Sequence, residues 1–191
     1  SEKVMQDLKM FDNKKPAALV THPLYDNFGE KISKEEARNK LGIGKDEKII
    51  LFFGFIRKYK GLDILLDAVK IIKERNLIPN YQLPIPRLLI AGEFYGDRKP
   101  YDDQIEKLGI KENLILHTNF ITDSEVKYYL CAADVVVQPY RNATQSGVTP
   151  LAYHFEKPMI VTNVGGLPSL VPNNKVGLIA EPDAASIAEI I

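Results

Sequence analysis

Gly54, Arg57 and Lys60 stand within one short segment that directly follows the apolar run Ile49–Phe53. A glycine turn after a strand brings backbone N–H groups to the carboxyl edge of a sheet, where α/β proteins bind anions. An arginine fork and a lysine point charge beside that turn could hold a pyrophosphate. Three later segments have residue types that would complete such a site. Gly92 would let a ligand approach the backbone, and Glu93 could accept hydrogen bonds from sugar or ribose hydroxyls. Phe120 and Ile121 offer apolar surface against which a flat base could lie. Thr144, Gln145, Ser146 and the Gly147 N–H would form an anion nest at a helix start. Each has a plainer reading, respectively a solvated basic turn, a chain reversal, closure of a core under a loop, and an ordinary capped helix. The P-loop and dinucleotide-binding glycine patterns are both missing.

These segments need strands to carry them. Strands are expected at Ile49–Phe53, Arg87–Ala91, Leu114–His117, Val135–Gln138, Met159–Thr162 and Gly177–Ile179. Helices are expected over Gly61–Arg75, Asp102–Leu108, Ser124–Ala132 and Gly147–Phe155, with a short one near Pro168–Leu170 and a last one from Asp183. The strand segments are apolar without alternation, so the sheet is covered on both faces: an α/β, doubly wound, mainly parallel sheet with helices on both sides. Ser33 should cap a helix through Leu41, ended by Gly42 and Gly44. Residues 1–30 read as an interdomain connection and the remnant of an amino-terminal domain. They hold a helical pattern in Ser1–Leu8, a short strand at Ala17–Val20 and then a turn-rich stretch. Residues 31–191 read as a Rossmann-like domain cut at its carboxyl end.

The 25 basic and 25 acidic side chains balance, so no global field favours nucleic acid, and any anion site must be local. Apolar runs fall well short of the ~18 residues a membrane-spanning helix needs. The single cysteine, Cys131, excludes an internal disulfide, fits a reducing compartment and reads as a packing residue. His154 reads as a core histidine, and His22 and His117 have no metal-like spacing, so no metal is expected.

Four ordered segments then carry a resemblance over roughly residues 15–191: Gly54 with Lys60–Ala68, Leu88–Gly92, Ala132–Pro139 and Lys157–Pro168. The set resembles the carboxyl-terminal, donor-binding half of a GT-B glycosyltransferase of the retaining group 1 type, the large family that includes sucrose synthases and bacterial sugar transferases of surface polysaccharides. The resemblance implies a nucleotide-diphosphate sugar as donor substrate and no other cofactor. It also implies a saccharide or lipid-linked acceptor, and catalytic groups partly on a missing amino-terminal domain. Lys60 would bind the donor pyrophosphate, the loop after Phe120 the base, and the backbone of Ser146–Val148 the phosphates and sugar. The enzyme is expected in the cytoplasm, with the inner membrane face as a further resting place; the fragment alone would bind nucleotide weakly and transfer nothing. The family's arginine after the first glycine is here Phe55, and Arg57 is the nearest substitute. The family's two glutamates, with seven residues between them, fall at Ala143 and Leu151. The expectation is therefore either altered donor recognition or a non-catalytic scaffold whose donor site has decayed.

Overall fold

The computed structural model describes residues 2–20, 25, 27–75 and 84–191. Six strands, β1 (Ile49–Phe53), β2 (Arg87–Ala91), β3 (Leu114–His117), β4 (Val135–Gln138), β5 (Met159–Thr162) and β6 (Gly177–Ala180), form one sheet in the order β3-β2-β1-β4-β5-β6. Every pairing is parallel. Helices α1 (Glu2–Phe11), α2 (Lys34–Leu41), α3 (Leu62–Arg75), α4 (Lys99–Leu108), α5 (Val126–Ala132), α6 (Val148–His154), α7 (Leu167–Leu170) and α8 (Ala184–Ile190) complete the chain.

The strand sequences show why the sheet needs two covers. Successive residues of a strand point to opposite faces, and all five residues of β1 are buried. Ile49, Leu51 and Phe53 pack with Ala37, Leu130, Ala152 and Leu167 on the face of α2, α5, α6 and α7. Ile50 and Phe52 pack with Leu65, Ile105 and Ile187 on the face of α3, α4 and α8. An Arg38–Asp134 pair ties α2 to the start of β4 at 2.9 Å, and Asp134 also accepts from the Ile49 N–H at 2.7 Å. Asp134's partners, Lys34 and Arg38 with the Ile49 N–H, outweigh its partial burial and hold the carboxyl below its usual value.

Local chemistry sets the helix ends. Ser33 accepts from the Glu36 N–H, and Gly42 closes α2 in the left-handed region (φ 67°). The α4 start moves upstream of the expected Asp102 because Asp97 accepts from the Lys99 N–H and Pro100 sits in the first turn. Before α5, the Glu125 carboxylate accepts from both the N–H and the hydroxyl of Thr122, so the helix itself begins at Val126 rather than Ser124. The expected strand at Ala17–Val20 does not form: the segment lies on the surface, with Val20 81% exposed, and it pairs with no strand edge. Tyr25 and Phe28 instead pack on the core, and His154 Nε2 meets the Gly29 carbonyl at 2.9 Å. Among the described residues no helix is long and apolar enough to cross a membrane.

Candidate nucleotide-sugar site

The chain turns from β1 outward to β2 and β3, then returns to β4 on the other side of β1. The carboxyl ends of β1 and β4 therefore diverge, and a crevice opens between the loops that follow them. Two glycines shape its floor. A Cβ on Gly92 (φ 138°) would stand 2.4 Å from the Gly54 carbonyl oxygen, and one on Gly61 (φ 68°) 2.0 Å from that of Pro139. The first close approach lets the loops after β1 and β2 stay paired beyond the strands, through Ile56 N–H to Glu93 O (2.8 Å) and Tyr95 N–H to Ile56 O (2.9 Å).

The Gly61 contact positions Lys60. A single 3₁₀ turn, Lys58–Lys60, ends at the left-handed Gly61 before α3 begins, so α3 starts one residue later than expected. This turn swings Lys60 inward until it is only 8% exposed, with Nζ lying over the Gly54 Cα and 5.8 Å from the Tyr140 ring centroid. No carboxylate among the described residues pairs with it. Burial, with the neighbouring Arg57 charge adding to it, lowers its pKa from 10.5 to about 8. A desolvated ammonium without a counter-charge is costly, and the arrangement favours an anion.

The loop after β4 forms the facing wall. Tyr140 is buried, its hydroxyl 3.1 Å from Ser146 Oγ, which also accepts from the Val148 N–H at 3.1 Å. Thr162 Oγ1 donates to the Tyr140 carbonyl at 2.6 Å, and Gln138 and Thr149 hydrogen-bond beneath the loop. The N–H groups of Gln145, Ser146 and Gly147 make no hydrogen bond among the described residues. Ser146→Ala should cost about 1–3 kcal/mol in urea unfolding, because it strands the buried Tyr140 hydroxyl and the Val148 N–H together. Tyr140→Phe should cost less, since Ser146 keeps the Val148 bond.

The resulting cavity is about 410 Å³ and takes residues from all four loops. The family model of the group 1 glycosyl transferases matches residues 33–191. The chain belongs to that family. Its fold is the Rossmann-like carboxyl-terminal half of a GT-B glycosyltransferase. A D-inositol 3-phosphate glycosyltransferase of Corynebacterium aurimucosum is 30% identical over 154 residues, 79% of this chain and 35% of that protein. Sucrose-phosphate synthase of Thermosynechococcus elongatus superposes with a TM-score of 0.79 at 21% identity, covering 100% of this chain and 46% of that one. HepE of Anabaena, in complex with UDP-glucose, superposes at 0.68 with 22% identity, over 87% of this chain and 45% of that one. The chain thus spans less than half the length of these proteins.

In this glycosyltransferase domain Gly54, Lys60, Glu93, Phe120, Ile121, Gln145, Ser146, Gly147 and Val148 all line the cavity. Arg57 and Thr144 do not. Arg57 is exposed and stacks on the Tyr95 ring at 4.2 Å, and Thr144 is exposed beyond the cavity rim. Phe120 is 64% exposed and so keeps a free apolar face at the edge. Phe55 and the buried Leu151 line the cavity, whereas the buried Ala143 lies outside it, its carbonyl accepting from the Gly166 N–H. The sequence reading missed Tyr25, Phe28, Tyr59, Tyr140 and Asp123, which also line the cavity. Tyr140 follows Pro139 at the end of an apolar strand, a signal that could have marked it; Tyr25 and Phe28 lie in a stretch read as linker. His22 is outside the described residues. No cluster of three His, Cys, Asp or Glu side chains among the described residues could hold a metal.

Lys60 also sets a pH dependence. Below about pH 8 the ammonium is charged, and above it the charge is lost. Diphosphate affinity should fall about tenfold per pH unit above about pH 8, as measured by titration in matched ionic strength. Stability should move the other way. The folded pKa lies below the unfolded value, so the unfolded chain binds more protons between about pH 8 and 10.5, and Lys60's contribution to stability rises across that window.

Proposed function

We propose that this chain is the donor-binding half of a retaining glycosyltransferase that moves a sugar from a nucleotide-diphosphate donor to a saccharide or lipid-linked acceptor, as in surface polysaccharide synthesis. The observation that carries the reading is Lys60, a buried ammonium without a carboxylate partner among the described residues, facing the cavity at the topological switch point. The diphosphate would sit against Lys60 and the Gly54 turn, within reach of the N–H groups of Ser146 and Gly147. As the bond from the sugar's anomeric carbon to the diphosphate breaks, negative charge grows on the leaving oxygen. Lys60 meets that charge where little water competes with it. The base would lie against Phe120 and Ile121, and Glu93, Gln145 and Asp123 stand near enough to the rim to read hydroxyls.

The complex of HepE with UDP-glucose supports a nucleotide sugar as the class of donor. Because the chain spans less than half of its relatives, the acceptor and the remaining active-site groups would come from a second, amino-terminal domain, with the whole enzyme working in the cytoplasm or against the inner membrane face. Leu151 in the cavity wall favours a second reading, a domain that keeps the fold as a scaffold. The two separate in the longer protein that carries this chain, supplied with UDP-glucose or GDP-mannose. Release of the diphosphate and an α-linked product, read from the one-bond coupling between the anomeric carbon and its proton, is the expected result. A β-linked product would overturn retention, and nucleotide binding without any diphosphate release would favour the scaffold.

A further inference from the structure

The loop after β4 meets the turn before α3 at three points, and they bracket Lys60. On one side of it, the Arg141 N–H donates to the Tyr59 carbonyl at 2.7 Å. On the other, the Pro139 carbonyl packs against Gly61, where no Cβ fits. Beyond Gly61, the Arg141 guanidinium donates to Oδ2 of Asp63, in the first turn of α3. The Tyr59 and Tyr140 rings add an edge-to-face contact, with centroids 5.9 Å apart. From the α4 side, Gln104 Nε2 donates to the Asp63 carbonyl at 3.0 Å, so the start of α3 is held on both flanks.

Stability accounts poorly for the side-chain pair. The Arg141 side chain is 46% exposed and that of Asp63 34%, so their attraction is screened by water and adds little to folding. The other Asp63 oxygen, Oδ1, is buried with no hydrogen-bond partner among the described residues, a costly placement for a carboxylate. Neither residue lines the donor cavity. Their contact instead joins the wall that carries Lys60 to the wall that carries Tyr140, Ser146 and the N–H groups of 145–147. Resting on the donor-site reading above, we propose that Arg141 and Asp63 are a positioning pair, whose contact sets the spacing of the two walls and holds Lys60 inward against the diphosphate.

The test follows the Lys60 Cε–Hε signal of the ¹³C-labelled 191-residue chain through a pH titration, the signal being identified by its loss in Lys60→Met. Affinities for UDP, GDP and ADP are measured beside it by calorimetry at pH 7. In Arg141→Met and in Asp63→Ala the Lys60 midpoint should rise from about 8 toward 10.5, as the ammonium swings out to water. Diphosphate affinity should fall roughly tenfold in each. Asp63→Ala is the sharper variant, because losing a negative charge by itself lowers a lysine pKa, so a rise there reports movement. Arg141→Met, at an exposed position, stands even where Asp63→Ala unfolds. Arg141→Lys can remake the single contact to Oδ2 and should restore both readouts. The proposal is overturned by a lowered or unmoved midpoint in Asp63→Ala, by an unmoved midpoint in Arg141→Met, or by unchanged diphosphate affinity in the folded variants. A wild-type chain that binds none of the three diphosphates overturns the donor site instead, and the Lys60 midpoint then decides by itself whether the pair positions that side chain.

Discussion

Lys60→Met should weaken diphosphate binding by about one to two orders of magnitude and raise stability in the same protein. A charge-assisted contact to phosphate contributes about 1.5–3 kcal/mol, or roughly 10–150-fold in affinity. In a water-poor site that follows charge developing on the leaving group, the loss in transfer by the longer enzyme should reach about 10²–10³-fold. The stability gain has a separate origin. Burial, with the Arg57 charge adding to it, brings the ammonium down to about 8, so the folded state carries a penalty at pH 7 that an apolar side chain of similar length removes. That relief is on the order of 2 kcal/mol and should shrink above pH 8, as wild-type Lys60 loses its proton. Paired urea melts and UDP titrations of wild type and variant at pH 7 and pH 9.5 check both halves. A residue retained against its effect on stability is a functional one, so a destabilised variant that still binds diphosphate would remove Lys60 from the site. Lys60→Arg should restore little, because the longer fork has no room where Nζ already lies over the Gly54 Cα.

Gly61→Ala should damage fold and site together. The added methyl would stand 2.0 Å from the Pro139 carbonyl oxygen, and both atoms belong to backbone, so no side chain can turn away to relieve the overlap. The left-handed φ of 68° adds a conformational cost of its own. Together these should amount to about 2–5 kcal/mol, a fall in melting temperature of roughly 5–15 °C for a chain of this size. The relief available is a shift of the 3₁₀ turn away from Pro139, which carries Lys60 out of the cavity. Diphosphate affinity should therefore fall at least tenfold even below the new melting temperature. An unchanged melting curve would mean that β1 and β4 are less closely joined through Pro139 than the geometry shows.

The strands were legible because each is apolar along its length, which a sheet covered on both faces requires. Gly54 and Lys60 were legible because a strand, a glycine and a basic turn occur in that order. Arg57 shows where residue type alone falls short. Its charge and spacing matched Lys60's, but the extended backbone at Arg57 and the ring of Tyr95 take its side chain along the surface. Tyr25 and Phe28 failed for the opposite reason. Their ring centroids stand 5.7 Å apart and they pack against a core built mostly from residues far along the chain, in a segment whose local pattern only says turn. Leu151 was visible as an apolar residue at a position where the family has a glutamate. Its place in the cavity wall depends on the rotation of α6 about its axis, which the Gln138–Thr149 and Tyr140–Ser146 hydrogen bonds fix.

The most direct measurement is calorimetric titration of this chain with UDP, GDP and ADP at pH 7, followed by the same titrations of Lys60→Met. Saturable heat for one diphosphate, lost in the variant while its amide spectrum stays folded, is the predicted result and would identify the base. No saturable heat with any of the three at millimolar concentration, or equal heat from the variant, would contradict a donor site built around Lys60.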